Sequence, residues 1–323
     1  MSLPLTVPPA QGHRTFLYSE PVTDLDNLHA DIAFIGMPYG NAYTPAAIIN
    51  DQSCAPDRIR AISDRISRNL ERYDFDVGGP IYDGRNIRAV DVGNVPFDLN
   101  DHKGHFARAE QVVRKVLAAG AMPITLGGDH GIPIPIFRAL DCFSDVTIIH
   151  IDAHLDWRDD VDGVRDGLSS PIRRASEMDH IGQIFQIGLR SQGSGRPAEA
   201  EAAQKYGSHI FTAYDVHDHG MQAVLDKIPN NGKYYITIDA DGLDPSVMPA
   251  VEGPAPGGLL FTQVRTLIHG LVGKGRVLGM DIVEITPSRD INNISCITAG
   301  RLIVNLIGAA VRANYFPARQ KAA

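Results

Sequence analysis

Short apolar runs recur along the chain, and most are followed by a glycine or an aspartate and then by a segment whose apolar residues have helical spacing. This alternation is typical of a parallel sheet covered by helices. The runs predict strands at 31–36, 88–93, 122–127, 146–152, 183–190, 209–211, 234–239 and 277–284. The helical spacing predicts helices at 105–119, 132–140, 197–206, 221–227, 261–271 and 298–313. We therefore expect a mainly parallel sheet of about eight strands, covered by helices.

The length of 323 residues allows one large domain or two small ones. No internal repeat, low-complexity tract or Ser/Gly-rich linker divides the sequence, so one domain is the better prediction. The chain has 30 Lys and Arg side chains against 38 Asp and Glu side chains, and it contains no basic run that could follow a phosphate backbone. We therefore expect no nucleic-acid partner.

The sequence also bears on the compartment of the protein. The longest strongly apolar stretch, 302–311, is shorter than the roughly 20 residues that cross a bilayer. The first ten residues contain three prolines and no charged segment ahead of an apolar block, so no secretory signal is predicted. The three cysteines lack metal-type spacing and fit a reducing compartment. These features predict a cytoplasmic protein that does not contact a membrane.

Acidic and histidine side chains cluster where four of the predicted strands end. They are Asp129, His130, Asp152, His154, Asp156, Asp239, Asp241 and Glu284. Ligands of open parallel sheets bind beyond the carboxyl ends of the strands, so these side chains are expected to converge on one site. A single aspartate at a strand end often only caps the next helix. So many at four ends favour a shared functional site.

The segment 148–156 carries the strongest chemical signal. It is an apolar run that ends in Asp152, His154 and Asp156, and this spacing directs all three side chains to one side of an extended chain. Burying such groups costs several kcal/mol unless they are paired or bind an ion. Asp239 and Asp241 repeat the arrangement after another apolar run. The two segments therefore predict an ion-binding site.

With His130, the candidate ligands are four carboxylates and two imidazoles. A mainly oxygen donor set with some nitrogen suits a hard or borderline divalent ion such as Mn²⁺. Four aspartates balance the charge of two divalent ions, so a two-ion site is predicted. Two ions about 3.5–4 Å apart would lower the pKa of bound water toward ~7 and so create a nucleophile at neutral pH.

Four segments of this chain resemble the ureohydrolases, the family of arginase, agmatinase, guanidinobutyrase and proclavaminate amidinohydrolase. The segments are Leu126-Gly127-Gly128-Asp129-His130, Ile151-Asp152-Ala153-His154-Leu155-Asp156, the run 237–245 continuing to Gly257-Gly258, and the run 279–287. The resemblance covers roughly residues 31 to 311. It implies a three-layer α/β/α fold, with 1–30 as an N-terminal extension and 31–323 as the catalytic domain. It also implies a homotrimer or homohexamer.

The resemblance further implies roles for the residues of the site. The cofactor would be two Mn²⁺ ions, with Ni²⁺ or Zn²⁺ as alternatives. His130 and Asp156 would bind one ion, His154 and Asp241 the other, and Asp152 and Asp239 would bridge them. Asp156 would also carry a proton from the nucleophile to the departing amine, and Glu284 would hydrogen-bond the guanidinium of a small cationic substrate. The implied reaction is hydrolysis of a guanidino C–N bond with release of urea.

Some positions depart from the family pattern. Leu168 occupies the place of a histidine that helps to shuttle protons or contacts the substrate in many agmatinase-type relatives. Leucine cannot titrate. Either another group such as His102 or His105, or a water molecule, transfers the proton in its place, or the pocket suits a different substrate. The loops 36–45 and 251–256 also differ from the expected sequence. These loops are expected to choose the substrate, and Leu168 is predicted to contact it.

Other side chains have two interpretations. Trp157, directly after Asp156, is predicted either to line the substrate pocket or to pack beside the metal-binding loop. His150 lies inside a strand and is better explained as a hydrogen-bonded core residue than as a ligand. The run 215–219 is rich in Asp and His but is better explained as the solvated start of a helix.

Two alternative functions remain open at this point. The first is hydrolysis, in the same fold, of another amidine such as formimidoylglutamate, of guanidine, or of a biguanide-type compound. The second is a weakly active partner subunit of a mixed oligomer that binds metal for structure. Leu168, in the place of a titratable residue, is the feature that supports this alternative. A single-zinc deacylase of related fold would not need six ligands.

Overall fold

The computed structural model describes residues 3–9, 14–40, 43, 51–98 and 100–317. Nine strands of this part form one sheet. They are β1 (Glu20–Pro21), β2 (Ile32–Met37), β3 (Ala89–Asn94), β4 (Met122–Gly127), β5 (Val146–Ile151), β6 (Ile181–Leu189), β7 (His209–Thr212), β8 (Lys233–Asp239) and β9 (Arg276–Val283). The spatial order is β1-β3-β2-β4-β9-β8-β5-β6-β7, and every pairing in it is parallel. The predicted parallel sheet is confirmed.

Helices cover both faces of the sheet. They are α1 (Ala55–Ala61), α2 (Ser63–Ile66), α3 (His102–Ala118), α4 (Pro133–Ala139), α5 (Pro171–Ala175), α6 (Pro197–Tyr206), α7 (Ala213–Leu225), α8 (Phe261–Lys274) and α9 (Ile294–Arg312). Successive side chains of a strand point to opposite faces, and in β5 Ile148 joins the apolar cluster under α3 to α6, whereas Ile149 joins the cluster under α1, α2 and α7 to α9. The result is the expected three-layer α/β/α fold.

The expected elements agree with the observed ones to within a few residues, except where elements are short. The predicted bounds of β4 and α6 are those of the structure. Strand β1 was not predicted, because two residues carry no alternating pattern. Helices α1, α2 and α5, of 7, 4 and 5 residues, are too short to show helical spacing. Helix α7 starts earlier than expected because Gly220, with φ of 78°, interrupts its backbone and its periodicity.

Helix α9 is the most apolar element of the fold. Residues 291–312 are long and apolar enough to cross a membrane by length and composition alone, so the expectation that no stretch is long enough was wrong. However, 83% of the most apolar window is buried inside the fold. Helix α9 packs on α8, and Leu302 and Ile303 belong to the apolar cluster beneath the sheet. It therefore serves as a core helix.

The four strands that carry the expected site residues, β4, β9, β8 and β5, are consecutive in the sheet. Each is buried over nearly all its length, as parallel strands covered on both faces are. Since parallel strands all end at the same edge, the polar segments that follow them lie side by side. The topology thus produces the convergence that the sequence predicted.

Residues before β2 are tied into the sheet through a buried ion pair. The Arg60 guanidinium donates two hydrogen bonds of 2.8 Å to the carboxylate of Asp91 on β3, and neither side chain is exposed. The same carboxylate accepts a hydrogen bond from the backbone N–H of Phe16 at 2.9 Å. Asp91 therefore connects the segment before β2, helix α1 and the sheet.

We predict that Asp91→Ala lowers the free energy of unfolding by about 3 kcal/mol, because the buried Arg60 charge would lose its two-bond partner and keep only the longer ionic contact of 3.3 Å to Asp57. Chemical denaturation followed by circular dichroism measures this change. The matched control is Glu20→Ala, which removes the exposed ion pair with Arg88 and should cost about 1 kcal/mol or less. Equal losses in the two variants would contradict the role given to the buried pair.

Candidate metal centre

The loops that follow β4, β5 and β8 meet at the carboxyl edge of the sheet. Gly128, after β4, allows the segment that follows β2 to approach closely, because a Cβ atom there would lie 1.6 Å from the carbonyl oxygen of Tyr39. The Gly128 carbonyl accepts a hydrogen bond of 2.8 Å from the backbone N–H of Glu284, which holds the end of β9 against the β4 loop. Asp156 and Glu284 adopt positive φ values of 51° and 62°. Such backbone conformations concentrate at functional sites.

One half of the site surrounds His130. Its Nδ1 atom lies 3.0 Å from Asp152 Oδ2, 3.1 Å from Asp156 Oδ2 and 3.0 Å from Asp239 Oδ2. All four side chains are buried. One nitrogen and three oxygen donors from three different loops therefore face one small volume.

The second half of the site surrounds His154. Its Nδ1 atom lies 3.1 Å from Asp241 Oδ2 and 3.3 Å from Asp152 Oδ1. The two oxygens of Asp152 therefore face different histidines, Oδ2 toward His130 and Oδ1 toward His154. This is the geometry of a carboxylate shared by two adjacent ion sites. The structure thus brings together all six of the predicted ligands.

The orientation of His130 shows what it can bind. The Thr237 hydroxyl donates to Asp281 Oδ1 at 2.8 Å, so its oxygen is left to accept from His130 Nε2 at 3.1 Å. With its proton on Nε2, the ring presents the lone pair of Nδ1 to the three carboxylates. Nδ1 has no hydrogen-bond partner among the described residues. A lone pair facing three carboxylates needs a cation between them.

The electrostatics of the cluster lead to the same requirement. Burial and the negative charges of Asp241 and Asp152 raise the pKa of Asp239 well above its usual range. Burial opposes a charged imidazole, yet Asp152 and Asp241 raise the pKa of His154 to about 12. The carboxylates likewise raise the pKa of His130 well above its usual value. The site therefore has an excess of negative charge that its own imidazoles only partly offset, and the residues fit a pair of divalent ions.

Supporting polar residues hold the ligands in place. His150 is fully buried, with Nε2 at 2.8 Å from Asp152 Oδ2 and Nδ1 at 3.3 Å from Gln186 Nε2. His150 is thus hydrogen-bonded in the core, and it also belongs, with His130, Asp152 and Asp156, to a group of buried side chains that could hold an ion. Thr237, Asp281 and Gln186 were missed by the sequence analysis. Polar residues within otherwise apolar strands beside a predicted ligand are the signal that could have found them.

Glu284 lies beside the metal-binding cluster with both carboxylate oxygens held. Oε1 accepts from the backbone N–H of His130 at 2.7 Å, and Oε2 accepts from Gln52 Nε2 at 2.5 Å. Burial and the charge of Asp129 raise the pKa of Glu284 to about 8. Gln52 comes from the segment just before α1, far away in sequence, and it was not predicted.

A cavity of about 210 Å³ opens over this cluster. It is lined by His130, His154, Asp156, Leu168, Ser169, Ser194, Asp239, Asp241, Glu252, Gly253 and Glu284. Leu168 thus lies where the sequence analysis expects a substrate-contacting residue. The cavity places Glu284 within reach of a molecule bound at the metal centre.

Several candidates lie away from this cavity. Trp157 is buried in the apolar cluster beside Tyr206, with ring centroids 5.6 Å apart, and it does not line the cavity. The structure therefore gives it the packing role and not the substrate-binding one. His105 Nδ1 contacts the carbonyl of Pro96 at 3.0 Å, and His102 packs on Phe106, so neither stands in for the histidine that Leu168 replaces. Of the early loop 36–45, residues 41–42 and 44–45 lie outside the described residues.

The fold and the buried cluster define an α/β protein with a candidate two-ion site. Residues 30–308 match the family model of the arginase family, so the chain belongs to that family. Its members are hydrolases and normally use a binuclear metal centre.

Curated relatives and solved structures agree with this membership. The chain is 29% identical over 290 residues to the guanidinobutyrase of Pseudomonas aeruginosa, covering 88% of this chain and 87% of that one. It is 28% identical over 302 residues to the agmatinase of Bacillus subtilis, covering 92% and 97%. Among solved structures, the proclavaminate amidino hydrolase of Streptomyces clavuligerus has a TM-score of 0.80 at 26% identity, covering 95% of this chain and all of that chain.

The shared position of Asp152 predicts a graded loss of metal. We expect Asp152→Ala to lose both ions, because its two oxygens serve both halves of the site. Asp241→Ala should keep about one ion per chain, since Asp241 faces only the His154 half. Elemental analysis after dialysis measures the stoichiometry. Asp218→Ala, in the exposed Asp- and His-rich run, is the control and should keep two ions per chain; full retention of metal in Asp152→Ala would contradict the assignment.

Thr237 provides a test of the histidine orientation. We predict that Thr237→Val weakens metal binding by about 10- to 100-fold, because His130 loses the acceptor that keeps its Nδ1 lone pair turned toward the site. A competition titration against a chelator measures the affinity. Thr147→Val makes the same change near the start of the neighbouring strand β5, at the end of that strand away from the ligands, and should leave the metal affinity unchanged. If both variants bind metal equally well, the Thr237 contact does not set the ring orientation.

Proposed function

We propose that this protein hydrolyses a guanidino C–N bond of a small cationic guanidino compound and releases urea. The observation that carries the proposal is Asp152, whose two oxygens face the two halves of a six-ligand site. The other five ligands and Glu284 line the cavity above it. Membership of the arginase family supports it. The agmatinase and guanidinobutyrase relatives are named for reactions on linear guanidino compounds, which also supports it.

We infer that the ions are manganese, because the donor set is four carboxylates and two imidazoles, and that Ni²⁺ and Zn²⁺ are the alternatives to test. His130 and Asp156 would hold one ion, His154 and Asp241 the other, with Asp152 and Asp239 between them. When bound, such a pair supplies the positive charge that makes water a nucleophile at neutral pH.

Glu284 would position the substrate. A guanidinium carbon is stabilised by resonance and is a poor electrophile, so reaction needs close alignment with the nucleophile. The His130 backbone and Gln52 each use one hydrogen bond to fix a different oxygen of Glu284. Each carboxylate oxygen can still accept another bond, and two parallel N–H donors of a guanidinium match that fork. The rigid carboxylate would thus present the planar cation to the metal centre.

Asp156 would move the proton. It lines the cavity at the edge of the metal-binding cluster, where its carboxylate would adjoin both the ion and the substrate. It could therefore accept a proton from the attacking water and return it to the departing amine. Leu168, which also lines the cavity, cannot share this task, and Ser169 and Ser194 are the neutral hydroxyl groups beside it. We infer that transfer here proceeds without a histidine in the position of Leu168.

The remaining expectations complete the proposal. We infer a catalytic domain at 31–323 with 1–30 as an extension, a homotrimer or homohexamer, and a cytoplasmic location. The mass in solution, measured by light scattering after size-exclusion chromatography, tests the oligomer. Fractionation of cells tests the location.

The proposed reaction predicts urea release from the manganese-loaded protein with at least one member of a panel of guanidino compounds of graded length. We expect Glu284→Gln, which keeps the shape of the side chain, to retain two ions while kcat/KM falls about 100-fold or more, because the substrate is no longer held in alignment. Urea, ammonia and amine are measured separately, with elemental analysis in parallel. The panel also contains formimidoylglutamate, guanidine and a biguanide.

The panel separates the alternatives. Ammonia or another amine without urea would contradict the proposal and favour the related hydrolase of a different amidine. Two bound ions with no turnover on any compound would also contradict it, and would favour the weakly active partner subunit. Leu168 in the cavity is the observation that makes this second candidate worth testing.

A further inference from the structure

We infer that the cavity selects a guanidino compound whose far end carries a positive charge, that it disfavours one whose far end is a carboxylate, and that Glu252 is the selecting residue. This inference rests on the proposed function and specifies its substrate class. It comes from a side chain that the metal centre does not use.

The charges that line the cavity are of one sign. Among the described residues that line it, five are acidic and none is Lys or Arg. Asp156, Asp239 and Asp241 belong to the metal cluster, and Glu284 lies beside that cluster. Glu252 is the acidic lining residue that belongs neither to the metal cluster nor to the residues beside it.

Glu252 and Glu284 lie at different depths of the same cavity. Glu284 is 7% exposed, whereas Glu252 is an exposed residue. A guanidinium bound at Glu284 therefore leaves the remainder of the molecule directed toward the open end, where Glu252 and Gly253 lie. A far-end ammonium would meet a carboxylate there, and a far-end carboxylate would meet a like charge.

The backbone of Glu252 is fixed relative to Glu284. Val251 forms an antiparallel bridge with Ile285, the residue that follows Glu284, and the Thr286 N–H donates to the Ala250 carbonyl at 2.8 Å. The segments that carry the two glutamates are thus hydrogen-bonded side by side. Fixed backbones limit the range of distances between the two carboxylates, which is what selection by the length and charge of a substrate requires.

Arg289 is the basic residue that this loop holds nearby. Its Nη1 donates to the carbonyl oxygens of Val251 at 3.2 Å and Glu252 at 3.1 Å. It does not line the cavity. Its contacts support the loop backbone, and it does not provide a cation inside the cavity for a substrate carboxylate.

The test compares three guanidines that differ at the far end: (4-aminobutyl)guanidine, butylguanidine and 4-guanidinobutanoate. For the manganese-loaded protein, kcat/KM for urea release should fall in that order, by about two- to fivefold at each step, as expected for one partly exposed charge contact. Glu252→Gln should remove most of the advantage of the amine over butylguanidine, mainly through KM. Glu252→Lys should raise the relative rate with 4-guanidinobutanoate.

Glu201→Gln is the matched control. It removes the same charge from an exposed position on α6 that does not line the cavity, and the order and spacing of the three rates should be unchanged. Metal content and melting temperature, measured for every variant, show that the fold and the metal centre are intact.

A second readout does not depend on turnover. Calorimetry should show that 1,4-diaminobutane binds the metal-loaded protein at least about fivefold more tightly than 4-aminobutanoate, and that Glu252→Gln reduces this difference. Urea release with equal or reversed preference among the three guanidines would overturn the inference and leave the proposed function standing. No urea from any guanidine, with the diamine still preferred in a Glu252-dependent manner, would overturn the proposed function and support the selectivity of the cavity.

Discussion

The structure depends on one electrostatic constraint: four buried aspartates, the buried His130 and the partly buried His154 pack against one another at the edge of the sheet. Carboxylates so close together and so far from water repel each other, and the proximity is tolerable only with cations among them. Asp152 shows this most directly, because its two oxygens face His130 and His154 separately. The fold provides the arrangement because β4, β8 and β5, which the six ligands end or follow, lie together with β9 in one consecutive part of a parallel sheet.

The same constraint explains the polar residues around the cluster. A buried ligand can keep one orientation only if its other polar atoms are bound. Asp239 Oδ1 accepts from the backbone N–H of Asp241 at 2.8 Å, and Asp152 Oδ1 accepts from that of His154 at 2.6 Å. Thr237 sets the ring of His130 in a comparable way. Each contact uses a polar group that would otherwise be unsatisfied in the core. The same hydrogen bonds therefore orient the ligands and stabilise the core.

The sequence predicts the parallel sheet and the convergence of the six candidate ligands, because both follow from regular patterns of apolar and polar residues. Parallel strands appear as apolar runs, and ligands appear as polar residues directly after them. Gln52 leaves no such trace, because it reaches Glu284 from a position 232 residues away in the sequence. Trp157 follows a ligand in sequence, but its neighbour Asp156 has positive φ, and the direction of the following side chain could not be read from spacing. Short helices such as α2 have too few residues to show a period.

The division between strands and loops also separates chemistry from selectivity. The ligands follow strands that also form the core, so replacing them would disturb both folding and metal binding. Leu168 and Glu252 lie on loops that line the cavity but hold no ligand, and loops of this kind accept substitution at little cost to the core. A chain can therefore keep the six ligands while its cavity acquires a leucine in place of a titratable group and a new carboxylate at its open end. For this reason, identity of the metal-binding residues defines the class of reaction, and the charge of the loop residues is what must decide the substrate.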